Sequence, residues 1–265
     1  MFDAPTLRPG QLISASIRLD RMLGRGGMGS VWVADHLRLH TKVVVKFVAA
    51  EHATNPEILA RFEQEAAAAA AAKSPHVVQV HDFGTTEQGL PFIAMELLEG
   101  EDLDKRLERD GPIPASVFAD WLAQACRGLS RAHAQGVVHR DIKPANIFLC
   151  NMDGEVFVKL LDFGIAKAHA LAGNFSATRT GAFLGTAYYM SPEQTMGAKN
   201  IDHRSDLWSL AVVSYEALTG VRPFESDAIG ALVAAITSLP IAPPSSHRPE
   251  LGVAIDAWMA RALAR

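Results

Sequence analysis

The stretch "HRDIKPANIF" sets an imidazole, a guanidinium, a carboxylate, an ammonium and a carboxamide within eight residues, as His139, Arg140, Asp141, Lys143 and Asn146. A solvated loop often holds an aspartate and an asparagine, but this whole set in this order is far more specific. Upstream, "GRGGMGSV" places Gly24, Gly26 and Gly29 in G-x-G-x-x-G spacing. The same spacing marks dinucleotide-binding folds, which need a helix directly afterwards to aim its N-terminus at a pyrophosphate. Here "VWVADH" alternates like a strand, so the glycines close a hairpin whose backbone N–H groups could lie over phosphates. An ordinary hairpin is the plainer alternative. Lys46 ends an apolar strand seventeen residues after Gly29. Lysines among valines usually snorkel to water. A phosphate to grip, and a carboxylate to hold the ammonium, would give this one a task. Glu65, at the head of "EAAAAAAAKSPH", is the candidate partner.

Further along come "LDFG" with Asp162, "GTAYYMSPEQ" with Thr186 and Glu193, and "SDLWSL" with Asp206. Together with the loop at 139–146, these resemble the protein-kinase family, and specifically the eukaryotic-like serine/threonine kinases of bacteria. The motifs run in the family's order from about residue 17 to the end.

The resemblance implies a set of roles that phosphoryl transfer, a matter of positioning and charge neutralisation, makes physically reasonable. Asp141 would orient the acceptor hydroxyl and take its proton. Lys143 would steady the transferring phosphate, and a lysine there marks serine/threonine rather than tyrosine kinases. Asn146 and Asp162 would supply oxygen donors of the hard type that Mg2+ prefers, with Mn2+ as a substitute. Lys46 would grip the α- and β-phosphates of ATP, held in place by Glu65. Met95 falls at the gatekeeper position, and Glu96 to Leu98 form the hinge presented to adenine. Leu23, Val31, Val44 and Phe148 would flank the base, and Asp102 would reach the ribose. Arg140 would bind phosphate added at Thr178 and Thr180, while Thr186, Glu193 and Asp206 would shape the segment around the catalytic loop. The implied partners are proteins with serine or threonine acceptors, including a second copy of the chain for phosphorylation in trans.

The elements that must carry these residues are legible in outline. "VWVAD" alternates, and "KVVVKFVAA" is β-branched, as strands are. The alanine run is a strong local helix signal, stopped at "SPH" by Pro75. "VVQVHDFG" and "LPFIAMELLEG" read as two further strands around the turn "TTEQG". "SVFADWLAQACRGLSRAHAQG" predicts a helix with Val117, Trp121, Leu122, Ala125, Leu129 and Ala132 near one face, ended by Gly136. "VVHRD", "IFLC" and "VFVKLLDFG" read as short strands, a Ser/Thr/Gly-rich stretch spans 173 to 187, and helix predominates afterwards. The expected fold class is α+β and bilobal, kinase-like. A β-rich lobe over 1–95 would join through a hinge at 96–100 to a helical lobe over 101–265.

Bulk composition excludes other readings. With 25 basic and 29 acidic residues the formal net charge is −4, which gives no electrostatic reason to expect nucleic acid. Two cysteines without a C-x-x-C argue against a disulfide framework or zinc ribbon. The start, "MFDAPTLRPGQ", is unlike a signal peptide, no apolar stretch approaches a membrane span, and a cytoplasmic location is expected.

The sequence also departs from the family pattern. Val44 stands where alanine is usual and would narrow the adenine site. "SPE" replaces A-P-E, and Ala211 replaces a glycine. The arginine expected to pair with Glu193 is missing, as is a last helix. A nucleotide-binding scaffold without catalysis is the alternative function, set against by the filled phosphate, metal and base positions. A small-molecule kinase is set against by "GTAYYMSPEQ", which builds a peptide-docking surface.

Overall fold

The valine-rich segments pair into a five-stranded antiparallel sheet in the order β1-β2-β3-β5-β4. Its strands are β1 (Ile17–Gly26), β2 (Gly29–His36), β3 (Thr41–Val48), β4 (Val80–Thr85) and β5 (Pro91–Glu96). The structure is a computed structural model describing residues 7–26, 29–53, 55–163, 185–198 and 200–265. Period-two alternation divides the sheet into two faces. Trp32, Val45 and Ala94 are cross-strand neighbours on one face, buried with Ile17, Leu19 and Phe92. On the other face Val31, Lys46 and Ile93 form one row and Val33, Val44 and Met95 the next.

Helix α1 (Pro56–Ala72) packs against that second face through Phe62 and Ala66. Its alanine run is uniform in type but not in position: Ala66, Ala68, Ala69 and Ala72 are buried, whereas Ala67, Ala70 and Ala71 are exposed. Ala68, Ala69 and Ala72 share a cluster with Phe163, Val77 and Ala132, so small side chains let the helix sit close to that aromatic ring. Lys73 then ends the helix in the left-handed region, at φ 41°, two residues before Pro75.

A second, three-stranded sheet, β6 (Gly100–Asp102), β7 (Ile147–Met152) and β8 (Glu155–Leu160), begins the helical part. Strand β5 runs through Glu96 and β6 opens at Gly100, so residues 97–99 form the strip between the two sheets. The helices are α2 (Leu103–Asp110), α3 (Ala115–Ala134), α4 (Pro192–Thr195), α5 (Arg204–Thr219), α6 (Ile229–Ser238) and α7 (Gly252–Ala262). Helix α5 is buried on nearly every side, with Tyr215, Val212 and Val213 in the largest hydrophobic cluster. It ends at Gly220, whose φ of 79° favours glycine and where a Cβ would stand 2.8 Å from the Pro112 ring. The architecture is α+β and bilobal, with a β-rich lobe carrying one main helix and a larger helical lobe. Among the described residues no helix is long and apolar enough to cross a membrane.

Three local expectations need correction. "VVHRD" is irregular rather than a strand, because the backbone N–H groups of His139 and Arg140 are taken by the Asp206 carboxylate instead of a ladder. "VVQVHDFG" becomes strand only from Val80, since Val78 N and His76 O are already bonded to Leu160 on the other sheet. In α3 the buried stripe passes through Phe118, Ala125, Leu129 and Ala132, and Val117 is exposed. The stripe starts one residue later than the pattern suggested, as the i, i+4, i+7 spacing from Phe118 requires.

Candidate active site

The loop after α3 is built around Asp141, whose side chain is 3% exposed. Asn146 lies in a short 3-10 turn (Pro144–Asn146) that folds back so that its Nδ2 donates both to Asp141 O, at 2.8 Å, and to Asp141 Oδ2, at 2.9 Å. Lys143 Nζ lies 3.3 Å from the same Oδ2 and donates to Thr186 Oγ1 at 3.1 Å. One carboxylate, one ammonium, one carboxamide and one hydroxyl are thereby fixed as a unit. The Asn146 side-chain oxygen, Oδ1, accepts no hydrogen bond among the described residues and is left as an oxygen donor, whereas the backbone oxygen accepts the Leu161 N–H at 2.9 Å.

His139 supports the loop from beneath. Its Nδ1 accepts the Asp141 N–H at 3.3 Å, so the proton sits on Nε2, which donates to Leu161 O at 2.8 Å. The ring lies 4.6 Å from that of Phe163, which is fully buried. Arg140 adopts φ 65° and Asp162 φ 45°, conformations that bulky residues rarely take and that surrounding bonds must enforce. At Arg140 those bonds are an N–H to Asp206 Oδ1 at 2.7 Å and a carbonyl accepting Gln194 Nε2 at 2.9 Å.

Asp206 itself is fully buried and also accepts His139 N, at 2.8 Å, and His133 Nε2, at 2.7 Å. Glu193 accepts the Ser205 hydroxyl, one residue before Asp206. Ser191 caps α4 in a reciprocal arrangement with Gln194. Alongside, Tyr189 OH donates to Glu216 Oε2 at 2.6 Å, and burial raises both the phenol and the carboxyl above their ordinary values.

Lys46 Nζ stands 3.1 Å from Asp162 Oδ1, which joins the five-stranded sheet to the segment after β8. The side chain of Glu65 lies outside the described residues, as do Thr178 and Thr180 altogether. The hairpin between β1 and β2 pairs Gly24 with Val31 and Gly26 with Gly29. A Cβ on Gly29 would stand 1.8 Å from Phe47 O, so β3 itself demands glycine there. A Cβ on Gly24 or Gly26 would meet nothing within 4 Å, so the fold alone gives no reason for these two glycines. Leu23 is exposed beside them.

Val31, Val44 and Met95 share the sheet face that carries Lys46, and Phe148 lies on β7 opposite Asp102. Glu96 is the last residue of β5 and Leu98 lies in the strip between the sheets, each partly exposed. Asp102 caps α2: it accepts the Lys105 N–H at 2.9 Å and pairs with Lys105 Nζ at 2.7 Å. Its carboxylate is committed to the helix start, and the ribose role suggested for it has no separate support in this geometry.

Sequence reasoning overlooked three contributors. Gln194 was visible in "SPEQ" at the capping-box position. His133 at the end of α3 and Lys159 on β8 carry no local signal of a partner 73 or 63 residues away.

Residues 17–245 match the model of the protein kinase domain, and the chain belongs to that family. It is 40% identical over 257 residues to serine/threonine-protein kinase PknB of Mycobacterium leprae, covering 96% of this chain and 40% of that protein. It is 39% identical over 265 residues to PknH of Mycobacterium bovis, covering 100% of this chain and 43% of that protein. The chain therefore spans about two-fifths of the length of these relatives. Among solved structures, the kinase domain of Mycobacterium tuberculosis PknI aligns with a TM-score of 0.73 at 29% identity, covering 98% of this chain and 91% of that one.

Proposed function

We propose that the chain is an ATP-dependent protein kinase domain that transfers the γ-phosphate of Mg-ATP to serine and threonine hydroxyls of proteins, its own among them. The observation that carries this reading is the unit formed by Asp141, Lys143, Asn146 and Thr186, tied at Asn146 O to the N–H of Leu161, the residue before the Asp162 that pairs with Lys46. On it, Asp141 Oδ2 takes the acceptor hydroxyl's proton, and Asn146 holds that carboxylate in place. Lys143, tethered by Thr186, offers positive charge where phosphate oxygens gain negative charge.

The residues fit the nucleotide. The unneeded Cβ positions of Gly24 and Gly26 leave room for backbone N–H groups to approach phosphates, and the Asn146 side-chain Oδ1 with Asp162 supplies hard oxygen donors. Mg2+, or Mn2+ in its place, would be held there and would neutralise phosphate charge. Val31, Val44, Met95 and Phe148 flank the base, and residues 96–100 act as hinge between lobes 1–95 and 101–265. Glu65 steadies Lys46. Use of ATP and of protein hydroxyls implies work on the cytoplasmic side.

Phosphate on Thr178 and Thr180, delivered by a second copy, would switch the site on. This reading is supported by Arg140, whose Nε is buried without a hydrogen-bond partner among the described residues, as expected of a guanidinium awaiting an anion. Mass spectrometry after incubation with Mg-ATP should locate phosphate at these two threonines. Unmodified threonines, with unchanged activity when both are alanine, would refute the switch. The function itself is tested by incubation with γ-labelled ATP, magnesium and a general protein substrate. Label on serine and threonine is expected, and nucleotide binding without label would instead indicate a scaffold.

A further inference from the structure

Three distant segments meet at one carboxylate behind the strip 97–99. Glu96 closes β5, and its Oε1 accepts the Gln79 N–H at 2.7 Å and the Lys159 ammonium at 2.6 Å. The Glu96 N–H returns a bond to Gln79 O at 3.0 Å. Gln79 belongs to the connection between α1 and β4, whereas Lys159 lies on β8 in the other sheet. The ion pair therefore spans the two sheets, with side chains only 14% and 22% exposed. The far end of the strip is anchored to the same hairpin. Glu99 O accepts Asn151 N at 3.2 Å, and Gly100 lies so near β7 that a Cβ would stand 2.0 Å from Leu149 O.

A peptide strip fixed at both ends has few conformations left to lose. Without the ammonium, Glu96 would keep one backbone partner and face a largely buried position as an uncompensated charge. The carboxylate would then turn towards water, and the Gln79 bond would loosen with it. A ligand that reads the backbone of 97–99 gains affinity when that backbone is already ordered.

We infer that Lys159 is a positioning residue for nucleotide binding: through the Glu96 carboxylate it holds the strip 97–99 in its receptive form before nucleotide arrives. This rests on the reading of that strip as the adenine seat.

The test compares Lys159→Met, which keeps the apolar stem, with Lys159→Arg, which keeps the charge. Lys159→Met should raise KM for ATP about fivefold to tenfold, a cost of roughly 1 kcal/mol, and leave kcat within about twofold. Lys159→Arg should recover most of the affinity. Amide hydrogen exchange at 97–99, measured without nucleotide, should quicken in Lys159→Met and not in Lys159→Arg. Unchanged exchange together with unchanged KM overturns the inference. So does a raised kcat at constant KM, which would make the clasp a brake. Quickened exchange in a protein that binds no ATP, wild type included, would leave the clasp standing and refute the kinase reading instead. If Lys159→Met does not fold, Lys159→Gln carries the same comparison, because it removes the charge and keeps a polar end at the same position.

Discussion

Asp206 Oδ1 accepts the backbone N–H of Arg140 at 2.7 Å, across a sequence separation of 66 residues. With His139 N and His133 Nε2 on its other oxygen, a single carboxylate on the most buried helix fixes the backbone that aims Asp141. Helix α5 thus holds the loop that carries Asp141 from outside that loop.

Replacing that carboxylate should be costly. Asp206→Ala strands three donors, His139 N buried and Arg140 N and His133 Nε2 partly so, and at about 1–3 kcal/mol for each buried group left unsatisfied a loss of about 3 kcal/mol is expected. The exposed neighbour Leu207→Ala should change stability by less than about 0.5 kcal/mol. Urea unfolding of both variants gives the comparison. A loss near that of Leu207→Ala would mean that the catalytic loop is held by something else.

The alanine helix makes a second, positional prediction. Ala69 packs in the cluster of Phe163 and Val77, whereas Ala71 faces solvent. Ala69→Leu should destabilise by about 1–3 kcal/mol through overpacking, and Ala71→Lys should be neutral within about 0.5 kcal/mol. Equal melting temperatures for the two variants would show that the helix does not bear on the Phe163 ring.

Glu216 predicts a pH dependence. Burial raises its carboxyl above the ordinary 4.5, against the opposing influence of the Tyr189 hydroxyl and Arg222, with Asp104 and Glu225 adding like charge. A carboxyl with a raised folded pKa binds its proton more tightly when folded than when unfolded. Its contribution to stability is therefore greatest at low pH and declines as pH rises above 4.5 towards and through the folded value. Glu216→Gln keeps an acceptor for Tyr189 and has no proton to lose. Melting temperatures across pH 5 to 8 should shift in favour of the variant as pH rises. Parallel profiles would contradict the assignment.

How much of this was readable depends on how local each signal is. Val31 and Lys46 could be placed on one sheet face from strand alternation, and Asp141 beside Lys143 and Asn146 from a dense motif whose members stay neighbours in the fold. Arg140 and "VVHRD" were misread as strand, since the competing acceptor lies on a helix far down the chain. Val117 was misassigned because the first turn of α3 tolerates either register until Phe118 finds the core. Lys159 and His133 owe their roles to partners 63 and 73 residues away that no window of sequence displays. The Ala66–Ala72 run gave helix but no face, and only the position of the Phe163 ring tells its buried alanines from its exposed ones.

The central claim is that Asp141 performs proton transfer in a preformed site. The most direct measurement is γ-phosphate transfer from Mg-ATP by wild type and Asp141→Asn, with nucleotide affinity determined in parallel. Asp141→Asn should stay folded and bind ATP comparably, while transfer falls by a factor on the order of 10² or more, equivalent to about 3 kcal/mol of transition-state stabilisation. Transfer at the wild-type rate by Asp141→Asn would contradict it.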